Sequence, residues 1–438
     1  MTSRITALAH TIDEKTPATR NRVVDFLRAA AITVVVIGHW TLVAVHPEHG
    51  IRPHGVLDRA AWTHPLTWVF QIMPIFFLVG GFSNGLSWRS ARRKGHSYGF
   101  WLRARVRRLT GPLIPVLLTW LAIAVAAWGF GADAATMKLA SGMALIPTWF
   151  LAAYLMVIVV APACLVLWER FGWFSIAGGV LLAGLVDVVS ISADSVLLGY
   201  PNYLLVWASF HQVGYAWLDG HLTSWRSRIF LFVIGTVGLV LLVGLGPYPV
   251  SMITAHTDAI SNSNPSRVTM AFLGMMQAAV VLSLEPALRR ALANKVLWLV
   301  TVLVNKRIMT WFLWHLTAMV AVAHLLIVIW PALLPTPLTG TWWATRPLWW
   351  LVLLGATGVL VLIYGRFEDV AADERPAPAA WRPVVAAVAV SAGLGLIANV
   401  GVVGSSLLSW VAVALVALGP VATGMFAPGR ASEHDRRI

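Results

Sequence analysis

Long apolar runs separated by short polar segments extend from residue 23 to residue 423. A helix that crosses a membrane needs about 20 mostly apolar residues. Twelve runs fit that length, at 23–45, 66–86, 112–130, 147–168, 173–191, 200–218, 228–246, 267–288, 308–331, 347–364, 384–401 and 405–423. No alternating barrel pattern appears, and lipid requires that each backbone polar group is paired within its own segment. The pattern therefore predicts an all-α, polytopic membrane protein.

Polar segments divide the predicted chain into five parts. These are an N-terminal tail (1–22), a ten-helix transmembrane domain (23–364), a Pro-rich linker (365–383), a two-helix C-terminal extension (384–424) and a C-terminal tail (425–438). We expect both tails to be cytoplasmic. The N-terminal tail has no apolar centre, which argues against a cleavable signal peptide. Because the extension is small and apolar, we expect it to be dispensable for chemistry.

Composition and charge support this topology. Only 11% of the 438 residues are charged and 58% are hydrophobic, whereas a soluble domain is about a quarter charged. With a cytoplasmic N-terminus, 26 of the 32 Lys and Arg fall in cytoplasmic segments, as the positive-inside rule requires. The net charge of +14 then reflects topology and contact with anionic lipid, and we expect no nucleic-acid partner. The single cysteine, Cys164, excludes disulfides and cysteine metal clusters.

The first predicted helix, "DFLRAAAITVVVIGHW", carries three ionisable side chains: Asp25, Arg28 and His39. Arg28 and His39 are eleven residues apart, which is about three turns plus 20°, so they share a face about 16 Å apart along the axis. Asp25 precedes Arg28 by three residues and can pair with it. Ionisable groups inside a membrane usually face a protein interior or a wet cavity. The alternative is an arginine that reaches the cytoplasmic surface and a histidine with a structural role.

Other polar side chains lie within predicted helices, and each alone is more often structural than catalytic. Asp187 lies in the outer half of the fifth helix, His211 in the middle of the sixth and His315 in the inner half of the ninth. Asn84 lies in "GGFSNG", whose glycines allow close helix approach. The chain has no metal-ligand spacing such as HExxH and no GxSxG elbow, so we predict no metal site.

The first inner loop is the most basic part of the chain. It holds eight basic residues, namely Arg89, Arg92, Arg93, Lys94, Arg103, Arg105, Arg107 and Arg108. Arg105 and Arg108 are three residues apart on a predicted short helix, so they share a face. Paired guanidinium groups suit phosphates. The loop is either a topology anchor that touches anionic lipid or a binding site for a phosphorylated cytosolic donor.

These elements together resemble the acyltransferase-3 family of integral-membrane acyltransferases over roughly residues 22–365. The Asp-x2-Arg-x10-His pattern is matched by Asp25, Arg28 and His39. The second helix matches with "PIFFLVGGFSNGLSW", the basic helix with "FWLRARVRRLTGP" and the fourth helix with Trp149-Phe150-Leu151. A late Tyr-Leu-x-His-type element resembles "TWFLWHLT" around His315. The stretch 201–220 is similar to versions of this family from actinobacteria.

The resemblance implies transfer of an acyl group, often acetyl, from cytosolic acyl-CoA to a sugar hydroxyl of an envelope glycan, a glycolipid or a related metabolite. It places the protein in the cell membrane, with acyl-CoA as the donor and no metal. An imidazole suits the general base, and His39 is the predicted base, with Asp25 and Arg28 controlling the electrostatics of the donor path. The remaining expected contacts are Arg103, Arg105 and Arg108 with CoA, and Asp187, Asn84, His315 and His211 with the acceptor or with His39.

Three other functions stay open at this point. A transporter or flippase of a lipid-linked sugar could use the buried charges as a proton relay, although the chain shows no internal repeat of the kind many transporters have. An O-acyltransferase could instead tailor a secreted antibiotic. A non-catalytic sensor or scaffold would leave the polar stripe of the first helix unexplained.

Overall fold

A computed structural model describes residues 2–48, 50–52, 55–131, 134–255, 257–369, 375–402 and 407–424. These residues form twenty α-helices. In chain order the helices are α1 (Thr2–Lys15), α2 (Arg22–Leu42), α3 (Thr67–Phe70), α4 (Met73–Arg93), α5 (Tyr98–Thr110), α6 (Leu113–Gly129), α7 (Ala134–Ala144), α8 (Thr148–Phe171), α9 (Trp173–Ser192), α10 (Val196–Gly199), α11 (Asn202–Leu218), α12 (Trp225–Leu245), α13 (Val268–Ser283), α14 (Glu285–Ala291), α15 (Lys295–Lys306), α16 (Ile308–Ile329), α17 (Gly340–Ala344), α18 (Arg346–Tyr364), α19 (Trp381–Val400) and α20 (Leu407–Ala422). Short 3₁₀ helices lie at Ala61–Leu66, Pro331–Leu333 and Gly365–Glu368.

A single antiparallel hairpin follows α2. It consists of β1 (Ala44–His46) and β2 (Gly50–Arg52), with Val45 opposite Ile51. Apart from this hairpin and one isolated bridge between Ser263 and Ser266, the described residues contain no strand pairing. The all-α prediction is confirmed.

Each of the twelve predicted membrane segments overlaps one or two helices of the described chain, and two of these helices, α11 with 17 residues and α20 with 16, are shorter than a full span. Nine helical segments of the described chain are long and apolar enough to cross a membrane, and α13 with α14 makes a tenth if this pair, bent by 50°, is one span. Pro286 lies at the start of α14, where the missing N–H breaks the helical hydrogen-bond ladder. The protein is therefore a multi-pass membrane protein.

Helix α11 differs from the other predicted spans. It has 17 residues, and the side chains from Val206 to Trp217 are all buried. Such a helix is surrounded by protein rather than by lipid, and it can therefore carry polar groups such as His211 that find partners in the bundle. Helix α9 shows the opposite pattern, since Leu181, Leu185 and Val188 form an exposed apolar stripe suited to lipid.

The described residues form two compact units. The first comprises Met1–Ser87 and Val160–Val361. In it, α2 packs against α15 and α16, α12 packs along α13, and α9, α11 and α13 contact one another. Helix α2 begins where the Asn21 side chain accepts hydrogen bonds from the backbone N–H groups of Val23 and Val24. This cap places Asp25 and Arg28 in the first two turns of α2.

The second unit comprises Trp88–Val159 and Leu362–Ile438. Helix α19 packs along α20, and both contact α5. The guanidinium of Arg103 on α5 donates to the carbonyl oxygens of Arg375 (2.7 Å) and Pro376 (2.9 Å) in the predicted linker. The predicted two-helix extension is thus packed on the basic helix, and whether it is dispensable stays a prediction.

Candidate active site: a hydrogen-bonded pair of histidines

Two histidines from distant parts of the chain meet at one end of α2. Nδ1 of His39 on α2 lies 2.9 Å from Nε2 of His315 on α16. Their ring centroids are 5.1 Å apart and their planes differ by 15°, as expected for two imidazoles hydrogen-bonded edge to edge. His315 is fully buried, whereas His39 is half-buried. The stripe of the first helix therefore ends at an imidazole pair rather than at a single histidine.

Hydrogen bonding assigns the protons of this pair. Nδ1 of His315 lies 2.7 Å from the carbonyl oxygen of Phe312, which can only accept, so this nitrogen carries a hydrogen. In a neutral imidazole the other nitrogen is then an acceptor. Nε2 of His315 must accept from Nδ1–H of His39, which leaves Nε2 of His39 as the nitrogen without a hydrogen. The arrangement thus holds His39 in the tautomer whose Nε2 can take a proton.

Two tryptophans fix the backbone around the histidine pair. The indole of Trp40 donates to the carbonyl oxygen of His315 (3.1 Å), and the indole of Trp349 on α18 donates to the carbonyl oxygen of Trp40 (3.2 Å). Trp40 is 1% exposed and Trp349 is buried. Because a buried indole N–H needs a partner, these bonds set how α16 and α18 sit against α2 beside His39.

The other end of the stripe is an ion cluster. Asp25 accepts from Arg28 (Nη1 to Oδ1, 3.5 Å), as the spacing predicted, and from Arg20 (Nε to Oδ2, 2.6 Å). Arg28 also donates through Nη2 to the hydroxyl of Ser83 on α4 (3.0 Å). Arg20 and Ser83 were not predicted as partners, because Arg20 lies in the polar tail and Ser83 on another helix. Arg28 is thereby held between two helices.

Asn84 on α4 and His211 on α11 contact each other. The amide of Asn84 lies 3.2 Å from Nε2 of His211, so the amide donates and Nδ1 of His211 carries the hydrogen. That Nδ1 is buried and has no hydrogen-bond partner among the described residues. The contact depends on a close crossing of α4 and α11, since a methyl group on Gly81 would collide with the carbonyl oxygen of His211. Their predicted contact with substrate stays a prediction.

Asp187 is fully buried in a separate cluster between α9 and the segment before α13. Its carboxylate accepts from Asn202 (2.7 Å), Tyr248 (3.1 Å), the Val268 N–H (2.8 Å) and Arg267 (3.2 Å). Four donors are as many as two carboxylate oxygens commonly accept. This geometry supports a structural role, and the predicted contact with the acceptor stays untested.

The three arginines predicted to bind CoA lie on α5, in the second unit. Arg103 is buried and bonded to the linker, as described above, while Arg105 lies over the ring of Trp101 at 5.3 Å. Arg108 is exposed. The helix predicted for the pair Arg105 and Arg108 is confirmed, and their role in donor binding stays a prediction.

The site thus consists of an ion cluster and an imidazole pair on α2, and no three His, Cys, Asp or Glu side chains in the described part of the chain are grouped to hold a metal ion. A bundle of apolar helices with a hydrogen-bonded histidine pair defines a multi-pass membrane protein with a candidate site for proton transfer. A family model for an acyltransferase domain matches residues 21–365. The chain belongs to the acyltransferase-3 family, and it is a membrane acyltransferase. No curated protein and no solved structure matches it significantly.

Proposed function

We propose that the protein transfers an acyl group, typically acetyl, from cytosolic acyl-CoA to a hydroxyl of a sugar in a cell-envelope glycan or glycolipid, and that it acts in the cell membrane. The observation that carries the proposal is the hydrogen-bonded chain Phe312 to His315 to His39. It presents a basic imidazole nitrogen inside a membrane bundle, where unassisted deprotonation of an alcohol is unfavourable.

The proposed reaction is a direct transfer. Nε2 of His39 removes the proton from the acceptor hydroxyl as the oxygen attacks the thioester carbonyl. The C–S bond then breaks, and the CoA thiolate takes the proton back from His39. The products are an ester and CoA thiol, and His39 returns to its neutral form. While His39 is charged, its Nδ1–H remains bonded to Nε2 of His315, so His315 acts as a positioning residue.

The donor is proposed to bind through its phosphates to Arg105 and Arg108 on α5. Arg28, held by Asp25 and Ser83, is proposed to attract the anionic donor toward the membrane interior. The carboxylate of Asp25 compensates Arg28 there for part of its lost hydration. No metal is needed in this scheme, since the imidazole supplies the base.

The first test of the proposal compares the wild type with His39→Ala in purified protein in nanodiscs. Radiolabelled acetyl-CoA and a glycan and lipid extract are the substrates. We expect label in a glycan or glycolipid with the wild type, and a loss of about 10²–10⁴-fold in rate without the base. A control, His324→Ala, changes another histidine of α16 that lies outside the site. Transfer that survives in His39→Ala would remove this residue from the mechanism.

A second test concerns the donor. We expect Arg108→Gln to raise KM for acetyl-CoA and leave kcat nearly unchanged, because a phosphate contact is made equally in the ground and transition states. Arg93→Gln is the matched control, since Arg93 is an exposed arginine at the end of α4. Equal KM values in both variants and the wild type would show that Arg108 does not bind CoA.

A further inference from the structure

Arg346, the first residue of α18, carries a buried guanidinium that has no carboxylate partner among the described residues. It is 6% exposed. Its Nε donates to the carbonyl oxygen of Trp342 (3.2 Å), and its Cζ lies 4.1 Å from the centre of the Trp342 ring and 5.4 Å from that of Trp349. The two Nη atoms make no hydrogen bond to the described residues. Arg267, which is equally buried, has the carboxylate of Asp187 as its partner.

An unpaired buried cation is costly, and the position of Arg346 adds to the cost. The partial positive charge at the start of α18 repels it. The two indole rings offset part of the lost hydration of the guanidinium. Its edge, which carries the donors of Nη1 and Nη2, has the geometry that binds a phosphate through two parallel hydrogen bonds. An anion at this edge would pair with the buried charge and would also offset its repulsion by the start of α18.

An apolar groove begins at the residue after Arg346. Its volume is about 460 Å³, and α18 lines it with Pro347, Trp350, Leu351 and Leu354. The facing wall includes Val36 and Trp40 of α2.

The groove also contains an unused donor. Trp350 lies one turn beyond Arg346 on the same face of α18, and its indole Nε1 is buried without a hydrogen-bond partner among the described residues. Ile37 lines the groove and is 37% exposed, so the groove opens at the surface of the helical bundle.

We propose that Arg346 and this groove bind a phosphate-bearing lipid, with the phosphate at the guanidinium and a hydrocarbon chain along α18. The unpaired cation selects an anionic headgroup over a neutral one. The apolar groove selects a lipid over free phosphate, because free phosphate would leave that surface uncovered. If the proposed function holds, this lipid anchors the acceptor, since Trp40 in the groove wall is next to His39; the lipid site itself does not depend on that function.

The test uses the full chain in nanodiscs without acyl-CoA, so that its outcome is independent of acyl transfer. The probes are phosphatidic acid with a photoreactive diazirine in one acyl chain and diacylglycerol with the same chain. Crosslinks are mapped by mass spectrometry of peptides from α18. We expect phosphatidic acid to label α18 about tenfold more than diacylglycerol, because only phosphatidic acid offers the guanidinium a phosphate.

Three variants decide the proposal. Arg346→Gln should reduce phosphatidic acid labelling to the diacylglycerol level, whereas Arg52→Gln, an exposed arginine on β2, should not change it. Leu354→Trp fills the groove, keeps Arg346 and should abolish labelling by both lipids, which tests the site even if Arg346→Gln does not fold. Labelling that is unchanged in Arg346→Gln or in Leu354→Trp would overturn the proposal. Loss of wild-type labelling in excess inorganic phosphate would also overturn it, by assigning the site to a soluble anion.

Discussion

At the scale of single residues, the proposed chemistry depends on which ring nitrogens of His39 and His315 carry a hydrogen. Phe312 O, His315 and His39 form one directional chain, and its direction is fixed because a carbonyl oxygen cannot donate. The sequence predicted that His39 shares a helix face with Arg28 and that Asp25 pairs with Arg28, because helical periodicity relates residues of one helix. It could not predict that His315 meets His39, because 276 residues separate them and periodicity carries no information between helices.

His315→Leu tests this chain. Removing the acceptor of His39 Nδ1–H frees the ring to adopt the other tautomer, so we expect kcat to fall by about 10²-fold with little change in KM. The pH profile of kcat/KM should also shift, since the proton affinity of Nε2 depends on what Nδ1–H contacts. A purely structural defect would lower the fraction of active protein and leave the pH profile of kcat/KM unchanged.

His315→Gln is the matched variant for the same prediction. Its side-chain carbonyl can accept from His39 in place of the imidazole nitrogen, so part of the lost rate should return. Equal activity of the Leu and Gln variants would contradict a positioning role for His315.

At the scale of elements, α1 shows what the polar N-terminal tail does. It packs on α15, where Asp13 accepts from Arg22 (2.6 Å) and lies 3.5 Å from Lys295. The indole of Trp298 on α15 donates to the hydroxyl of Thr16 (2.9 Å). Neither α1 nor α15 was predicted, because α1 has few apolar residues and α15 is too short for a membrane span. Amphipathic helices that pack against a bundle escape a search for long apolar runs.

Asp13→Asn should loosen α1. The hydrogen bond from Arg22 holds the pKa of Asp13 below its usual value. A carboxylate with a lowered pKa in the folded state stabilises the fold at pH values above its unfolded pKa of about 3.9, and the contribution is lost as the pH falls through the folded value. We therefore expect faster hydrogen–deuterium exchange in residues 2–15 of the variant at pH 7, and a smaller difference from the wild type once the pH falls below about 4.

Glu14→Gln provides the control for α1, because Glu14 is exposed and next to Asp13 in sequence. It should exchange like the wild type at pH 7. Equally fast exchange in Glu14→Gln and Asp13→Asn would show that net charge, and not the contact with Arg22, holds α1 in place.

At the scale of the whole molecule, the sequence predicted the helices better than their grouping. Apolar runs locate spans because lipid imposes length and composition on each helix independently. The grouping of α5 with α19 and α20 depends on contacts such as that of Arg103 with the backbone at Pro376, which no single segment reveals. The predicted boundary at residue 364 marks a change of polarity in the chain. It carries no information about which helices pack together.

The Asp187 cluster is expected to stabilise the folded bundle. Asp187→Asn leaves Arg267 buried without a carboxylate, and breaking a buried pair in this way costs about 3–5 kcal/mol. We expect a clear fall in Tm in detergent, with activity per folded molecule near that of the wild type. Asp194→Asn, at an exposed position, should keep the wild-type Tm. An unchanged Tm with lost activity would instead support the predicted contact of Asp187 with substrate.

Trp40 contacts both the proposed lipid groove and the histidine pair of the first unit. Its ring lines the groove beside α18, its indole holds the backbone of His315, and its carbonyl oxygen receives Trp349. An occupant of the groove that displaces this ring also displaces the histidine pair. Linkage is reciprocal, so a ligand that orders the histidines changes affinity in the groove by the same factor. Lipid composition would then act on this protein as an effector as well as a solvent.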